Sequence, residues 1–170
     1  MANHQGKRLR GIADRLSNAG LSLQEHAVRK AILTAFADAG QGPSVEDLAH
    51  TLGLPLASVR AACRTLAAAD LIIWQDDTAC IMSAYPFSGV PTAHHVLLGG
   101  HTPCYAMCAI DALGMPFMLG QDARIRSTCF FCQTPVTVDI AAGMLQEASP
   151  STLAVWHSEL VSGHISQSGL

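Results

Sequence analysis

The sequence is poor in charge and in aromatic rings, since charged residues make up 14% and aromatic residues 5% of its 170 residues. Its 10 Lys and Arg stand against 13 Asp and Glu, so the basic excess typical of nucleic-acid-binding domains is absent. No apolar run reaches the roughly 20 residues that a membrane helix requires, and the polar N-terminus has no apolar signal-peptide core. We therefore expect a cytoplasmic protein with no membrane partner, and the composition leaves the oligomeric state open.

The N-terminal half of the sequence carries the pattern of three helices. Apolar residues recur at helical spacing over Leu23–Ala39, and this run stops at Gly40. Ser44, with an acidic residue three positions later, predicts the N-cap of a second helix, and Ser58 is expected to cap a third. The order of helix, tight turn and helix is typical of a helix-turn-helix unit.

Two short apolar runs follow these helices. Ile72–Trp74 and Ala79–Met82 are separated by a pair of aspartates, which predicts a β wing and makes residues 1–83 a winged-helix-like domain. The last predicted helix offers only Arg60 and Arg64 among alanines, whereas groove-binding helices show several cations and base-reading side chains. The residues therefore favour a packing role for this domain, and DNA stays an alternative partner.

Residues 84–170 alternate short strand patterns with one helix and predict a small mixed α/β domain. The predicted elements are a strand at His94–Leu98, a helix at Cys104–Leu113, strands at Ala123–Thr128 and Val136–Ile140, and a final stretch at Leu153–His157. The expected fold class of the whole chain is therefore α+β.

Cysteines and one acid are concentrated in a short stretch of this second domain. Four of the six cysteines lie there together with Asp111, namely Cys104, Cys108, Cys129 and Cys132. In a helix, about 100° per residue would bring Cys104, Cys108 and Asp111 within about 60° of one another on one face. Because thiolates prefer soft ions, this pattern predicts a thiophilic metal bound by sulfur beside a proton donor.

The same region resembles the organomercurial (alkylmercury) lyases. The resemblance spans residues 85–140 and rests on four motifs in a fixed order: YAMCAIDAL at 105–113, PFMLG at 116–120, ARIRSTC at 123–129 and TPVTV at 134–138. It implies that residues 84–170 form an organomercurial-lyase-like core domain. The family also carries a helical, winged-helix-like N-terminal domain, in agreement with the pattern of residues 1–83.

The resemblance implies a reaction and the residues that perform it. The family breaks carbon–mercury bonds by protonolysis, which gives a hydrocarbon and a protein-bound mercuric ion without a separate cofactor. By motif, Cys108 matches the cysteine whose thiolate attacks mercury, and Asp111 matches the aspartate that carries the proton to the leaving carbon. The implied partner is a small organometallic substrate or a thiophilic metal ion.

The chain departs from the family in its thiols. In the family a second catalytic cysteine lies near the C-terminus, whereas no cysteine follows Cys132 in this sequence. Cys104, Cys129 and Cys132 are the thiols left to complete a metal site with Cys108, and four sulfurs suit a tetrahedral ion such as zinc, with copper as another thiophilic choice. In the other interpretation, Cys129 and Cys132 pack near a turn and bind no metal.

Histidines near the cysteines offer further ligands or proton relays. His94, His95 and His101 flank the predicted helix, but neighbours on a strand point to opposite faces, so at most one of the adjacent pair can face the site. His157 is a further candidate ligand in the tail. Two functions stay open: an organomercurial lyase that uses the thiol and carboxyl pair, and a non-catalytic thiolate metal-binding or metal-sensing protein with a winged-helix module.

Overall fold

The computed structural model describes residues 19–100 and 102–155 and has an α+β fold, in which three helices precede an eight-stranded antiparallel sheet and a fourth helix lies between two of its strands. The elements in chain order are α1 (Leu23–Ala39), α2 (Val45–Leu52), α3 (Leu56–Ala68), β1 (Ile72–Ile73), β2 (Ser83–Ala84), β3 (Phe87–Ser88), β4 (His95–Leu98), β5 (Cys104–Ala106), α4 (Ala109–Leu119), β6 (Ala123–Thr128), β7 (Pro135–Ala141) and β8 (Met144–Ser149). The expected fold class is confirmed. None of the described helices is long and apolar enough to span a membrane. The candidate ligands His101 and His157 lie outside the described residues.

Helix α1 has the predicted bounds because its ends are fixed by local chemistry. Ser22 and Glu25 form a reciprocal capping box at its start, and Gly40 ends it in the left-handed conformation at φ 69°. The apolar stripe includes Phe36, whose fully buried ring stacks on Phe87 of β3 with centroids 5.6 Å apart. Truncating such a ring to alanine costs about 3–5 kcal/mol, so this contact is a strong link between the helices and the sheet.

Helix α2 also begins where it was predicted to begin, whereas α3 does not. Ser44 caps α2 and accepts a hydrogen bond from the backbone N–H of Asp47 at 3.0 Å. The predicted Ser58 cap of α3 is wrong, because the carbonyl of Pro55 already accepts the N–H of Ser58 at 2.9 Å and the helix starts at Leu56. Proline presets a φ suited to a helix start, and this signal prevailed over the serine.

The wing is formed in part. Its first strand, β1, pairs with β2 at Ser83–Ala84, so the bounds predicted for the second strand are wrong. Of the predicted run Ala79–Met82, Met82 reaches β1, where its N–H donates to the Ile73 carbonyl at 2.9 Å. The chain at 80–81 instead meets the turn before α2, through a bridge between Cys80 and Ser44. Gly42 makes this approach possible, since a Cβ there would lie 1.8 Å from the Ile81 carbonyl oxygen. The division into residues 1–83 and 84–170 falls within β2 and stays a prediction.

The sheet has the strand order β1-β2-β3-β5-β4-β6-β7-β8, and every neighbouring pair is antiparallel. Alternation along the strands gives it one apolar face, which includes Val96 on β4 and Ile125 on β6. Helix α4 packs on β4, β5 and β6 through the buried Ala112 and Met115. This packing fixes the position of the first turn of α4 at one end of the sheet.

The predicted helix Cys104–Leu113 is wrong at its start. Cys104–Ala106 is a strand that pairs on both sides, with β3 and with β4, and the helix begins only at Ala109. The burial of Cys104 and Ala106 around a half-buried Tyr105 follows the two-residue period of a strand. Cys104 and Cys108 therefore do not share a helical face.

The strands after α4 agree better with the sequence. Ala123–Thr128 has the predicted bounds, and the strand predicted at Val136–Ile140 extends by one residue at each end. Strand β8 was missed, and the described part of the final predicted stretch, up to Val155, contains no strand. Ala142 and Gly143 join β7 to β8, both with positive φ, as a tight two-residue hairpin turn requires.

Candidate active site

Cys108 occupies the N-cap position of α4 with an extended backbone, φ −150° and ψ 175°. Its sulfur accepts the backbone N–H of Asp111 at 3.4 Å, in the way that a serine oxygen caps a helix. The thiol in turn donates to Asp111 Oδ2, with 3.1 Å between sulfur and oxygen. The predicted pairing of Cys108 with Asp111 is therefore present, and it results from a helix cap rather than from two positions within one helix.

The strand that leads into Cys108 is held on both sides. The carbonyl of Ala106 accepts the Thr92 hydroxyl at 2.7 Å, and the N–H of Ala106 donates to the His94 carbonyl at 2.9 Å. The N–H of Met107 donates to the Pro86 carbonyl at 3.1 Å. These bonds orient the thiol before any substrate arrives, as an efficient site requires.

The electrostatics of the pair leave one proton on sulfur at neutral pH. Desolvation raises the pKa of Asp111 to about 6, against the hydrogen bonds from Cys108 that lower it. Desolvation by the surrounding chain also raises the pKa of Cys108 to about 11, and the charge of Asp111 adds to this rise. Cys108 as a whole is nevertheless an exposed residue at the N-terminus of α4. The pair therefore joins the thiol of an exposed residue to a carboxyl group with a pKa of about 6.

Cys104 does not join this pair. Its side chain is buried on the apolar face of β5, where the thiol donates to the Val96 carbonyl at 3.3 Å. Burial raises the pKa of Cys104 to about 11, so the sulfur stays a protonated, satisfied core group.

Cys129 and Cys132 lie together in the loop between β6 and β7. Cys129 is half-buried and Cys132 is exposed, and both are free thiols. The Cys132 sulfur lies 3.1 Å from the Thr134 hydroxyl oxygen. Hydrogen bonds from the hydroxyl and backbone of Thr134 and from the Cys129 thiol lower the pKa of Cys132. The loop therefore carries two further thiols. The pKa of Cys132 is lowered, whereas that of Cys108 is raised.

The four cysteines do not converge on one metal site. Within residues 19–100 and 102–155, no three His, Cys, Asp or Glu side chains are grouped closely enough to hold a metal ion. A tetrahedral four-sulfur zinc or copper site is thus not formed by these cysteines. Cys104 is buried within strand β5, Cys108 caps α4, and the other two lie in the loop between β6 and β7.

The adjacent histidines point to opposite faces of the sheet, as expected for neighbours on a strand. His95 is exposed and packs edge-on against Tyr105, with ring centroids 4.8 Å apart. His94 is half-buried, and its Nδ1 lies 2.8 Å from the Ser127 hydroxyl. Desolvation, with a smaller contribution from His95, lowers the pKa of His94, which favours the neutral ring. The pairing of His94 with Ser127 was not predicted, because it depends on the register of β4 with β6.

These features define an α+β protein in which a helix-turn-helix part precedes a sheet domain with a thiol and carboxyl pair at one helix N-terminus. Comparison with known proteins agrees with both parts. Residues 87–167 match the MerB alkylmercury lyase family, and residues 30–74 match the IclR helix-turn-helix domain. The resemblance of this chain to the alkylmercury lyases is confirmed.

Individual relatives give the extent of the similarity. An alkylmercury lyase of Bacillus cereus is 27% identical over 116 residues, which are 68% of this chain and 50% of that protein. One from Streptomyces lividans is 34% identical over 65 residues, which are 38% of this chain and 30% of that protein. The crystal structure of the mercury-bound form of MerB2 has a TM-score of 0.68 at 26% identity and covers 80% of this chain and 65% of its own. The chain therefore spans about half the length of the curated relatives it matches.

Proposed function

We propose that this chain cleaves the carbon–mercury bond of small organomercurials by protonolysis, with Cys108 as the mercury-binding thiol and Asp111 as the proton carrier. The observation that carries the proposal is the thiol of the exposed residue Cys108, which donates to Asp111 Oδ2 with 3.1 Å between sulfur and oxygen. Similarity to alkylmercury lyases supports the reaction, and similarity to a mercury-bound MerB2 supports a mercuric ion as the product that stays on the protein.

The first step is the capture of mercury by sulfur. The substrate mercury bonds to the Cys108 sulfur and releases the thiolate or other anion that it carried. The thiol proton moves to Asp111 Oδ2, which already accepts the hydrogen bond of that thiol. Coordination to a soft ion deprotonates a thiol outright, so the high pKa of free Cys108 does not prevent this step.

The second step delivers that proton to carbon. The Asp111 carboxyl gives its proton to the carbon bound to mercury, and the electron pair of the carbon–mercury bond forms the new carbon–hydrogen bond. The hydrocarbon leaves, the carboxylate is restored, and the released anion rebinds as the second ligand of the mercuric ion on Cys108. Desolvation of Asp111 favours its protonated form and so keeps the proton available near neutral pH.

The test is an anaerobic incubation of the reduced protein with a simple arylmercury salt and excess small thiol, in which released arene is measured by gas chromatography. We expect release above the thiol-only control, and loss of this excess in C108S and in D111A. The variant C80S is a matched control, since Cys80 is also an exposed free cysteine but lies in the loop between β1 and β2. Release that survives in C108S, or none from the wild-type protein, would reject the proposal.

A second candidate function, metal sensing through a DNA-binding module, is favoured by the match to the IclR helix-turn-helix domain. The cations of α3 weaken it. Arg60 lies 3.0 Å from a Glu46 carboxylate oxygen, and Arg64 lies 2.8 Å from one of Asp76. Cations already paired with carboxylates contribute less to phosphate binding. Mercuric ion binding without arene release, together with ion-dependent retention of DNA in a gel, would favour this function instead.

A further inference from the structure

The loop Cys129–Cys132 forms the tip of the hairpin between β6 and β7. The N–H of Cys129 donates to the Thr134 carbonyl, and the N–H of Gln133 donates to the Cys129 carbonyl, each at 2.9 Å. Gln133 adopts φ 58°, and its side-chain amide donates to the Phe130 carbonyl at 2.8 Å. The turn is thus closed by backbone and amide bonds that do not use either sulfur.

This loop presents sulfur with few competing groups. Phe130 and Phe131 are 97% and 95% exposed, so the described chain does not cover the tip. Residues 129–134 contain no acid, no histidine and no cation. The side-chain ligand atoms that the loop offers are two thiols, the Gln133 amide oxygen and the Thr134 hydroxyl beside one of the thiols. Such a set suits a soft ion that accepts two sulfur ligands and does not suit a hard cation.

The loop also lies at the same end of the sheet as Cys108. Strands β5 and β6 flank β4, and His95 of β4 is opposite both Tyr105 and Arg126. Cys108 follows Tyr105 by three residues, and Cys129 follows Arg126 by three residues. Both cysteines therefore leave the sheet at the same level, on strands separated by two interstrand spacings, or about 10 Å.

We propose that Cys129 and Cys132 form a second, surface site that holds one mercuric ion as a two-coordinate dithiolate. Cys108 has no second protein thiol beside it within the described residues, whereas the loop carries two thiols on one turn. The binding site itself is independent of the proposed lyase function. We also infer that the loop receives the mercuric ion that cleavage leaves on Cys108. This second role rests on the proposed lyase function.

The exchange balances without an oxidant or reductant. A mercuric ion held by two small thiolates gives up both to the loop, while the protons of the Cys129 and Cys132 thiols pass to the departing thiolates. Two mercury–sulfur bonds break and two form, and two small thiols are released. The gain comes from closing both bonds within one loop, because the second bond forms intramolecularly.

Native mass spectrometry of the reduced, anaerobic full chain with one equivalent of inorganic mercuric salt and a competing monothiol tests the site. We expect the wild-type protein, C108S and C80S to retain the ion. C129S/C132S should lose apparent affinity by about 10²-fold, the advantage of a chelating second thiolate. Each single variant, C129S or C132S, should lose nearly as much as the double variant, since one thiol cannot chelate.

Equal retention by the double variant and the wild-type protein would overturn the proposal, as would loss of the ion in C108S alone. A mercury NMR shift for a ligand set other than two sulfurs would also contradict it. Circular dichroism controls for folding, which we expect to be unchanged because serine preserves the backbone bonds of the loop. Because the probe is inorganic, no carbon–mercury bond is cleaved, and failure of this site is distinguishable from failure of the lyase proposal.

Discussion

Helices α2 and α4 begin with the same hydrogen-bonding arrangement, but the capping atom is oxygen in α2 and sulfur in α4. At α2 the Ser44 hydroxyl donates to Asp47 Oδ2 at 2.6 Å and accepts the N–H of that aspartate at 3.0 Å. At α4 the Cys108 thiol makes the same two contacts with Asp111, at 3.1 and 3.4 Å. A cap with a nearby carboxyl is therefore not by itself a reactive site.

The difference between the caps lies in the first atom and in the burial of the acid. Sulfur is a weak hydrogen-bond partner but a strong ligand for soft ions, and oxygen has the reverse preference. Asp47 is exposed, whereas Asp111 is partly buried and its pKa is raised to about 6 by desolvation. The α4 cap thus combines a thiophilic atom with a carboxyl that can hold a proton, and the α2 cap serves the helix alone.

The largest expected effect comes from making the two caps alike. C108S should reduce arene release to the level of the small-thiol control, because a hydroxyl does not bind mercury comparably. The free energy of unfolding should stay within about 1 kcal/mol of wild type, since serine is a preferred cap. Arene measurement and urea denaturation check the two parts, and a C108S protein that still cleaves would show that the α4 thiol is not the reacting group.

Removing the proton carrier while keeping the thiol should have a smaller effect on the reaction. D111N should lower the cleavage rate by about 10²–10⁴-fold, the usual contribution of a positioned acid or base. Single-turnover measurements at saturating substrate separate this chemical effect from binding. D47N makes the same change at the α2 cap and should leave the rate unaltered. A similar fall in both variants would point to helix destabilisation instead.

The same substitution should have a pH-dependent effect on stability. The pKa of Asp111 is raised from 3.8 to about 6 in the fold, so its favourable contribution is complete below the unfolded pKa and is lost as pH rises through about 6. D111N removes this titration. Its free energy of unfolding, measured relative to that of the wild-type protein, should therefore rise by about 1–3 kcal/mol from about pH 4.5 to about pH 8. Urea unfolding at both pH values checks this expectation, and a gap that does not change with pH would contradict it.

Local signals explain which parts of this structure were predictable. The bounds of α1 follow from the serine and glycine at its ends, and the Cys108–Asp111 pairing follows from a three-residue spacing that a helix cap also satisfies. Strand β5 was missed because its three residues are fixed by pairing with β3 and β4, which are distant in sequence. Strand β8 is largely exposed on both faces, so its residues carry no alternating signal.

The separation of the thiols was not predictable for the same reason. Placing Cys104 beside Cys108 required a helix that the pairing of β5 excludes, and a four-sulfur site required a convergence that depends on the register of the sheet. Cys108 and Asp111 do lie within hydrogen-bonding distance, because their three-residue spacing spans the first turn of α4. Their chemical roles stay proposals until turnover is measured.

The smallest expected effect comes from deleting each cap. S44A should destabilise the protein by about 1 kcal/mol, the usual cost of losing a serine N-cap, without changing the cleavage rate. C108A should destabilise the protein less, because the bond from the Asp111 N–H to the Cys108 sulfur is longer and weaker than the bond from the Asp47 N–H to the Ser44 oxygen. C108A should nevertheless abolish cleavage. Urea denaturation should rank S44A as the more damaging variant for stability, and arene release should rank C108A as the more damaging variant for cleavage. If C108A destabilised the protein more than S44A, Cys108 would contribute more to helix stability than Ser44 does. Loss of cleavage in C108A could then result from loss of structure and would no longer identify the thiol as the reacting group.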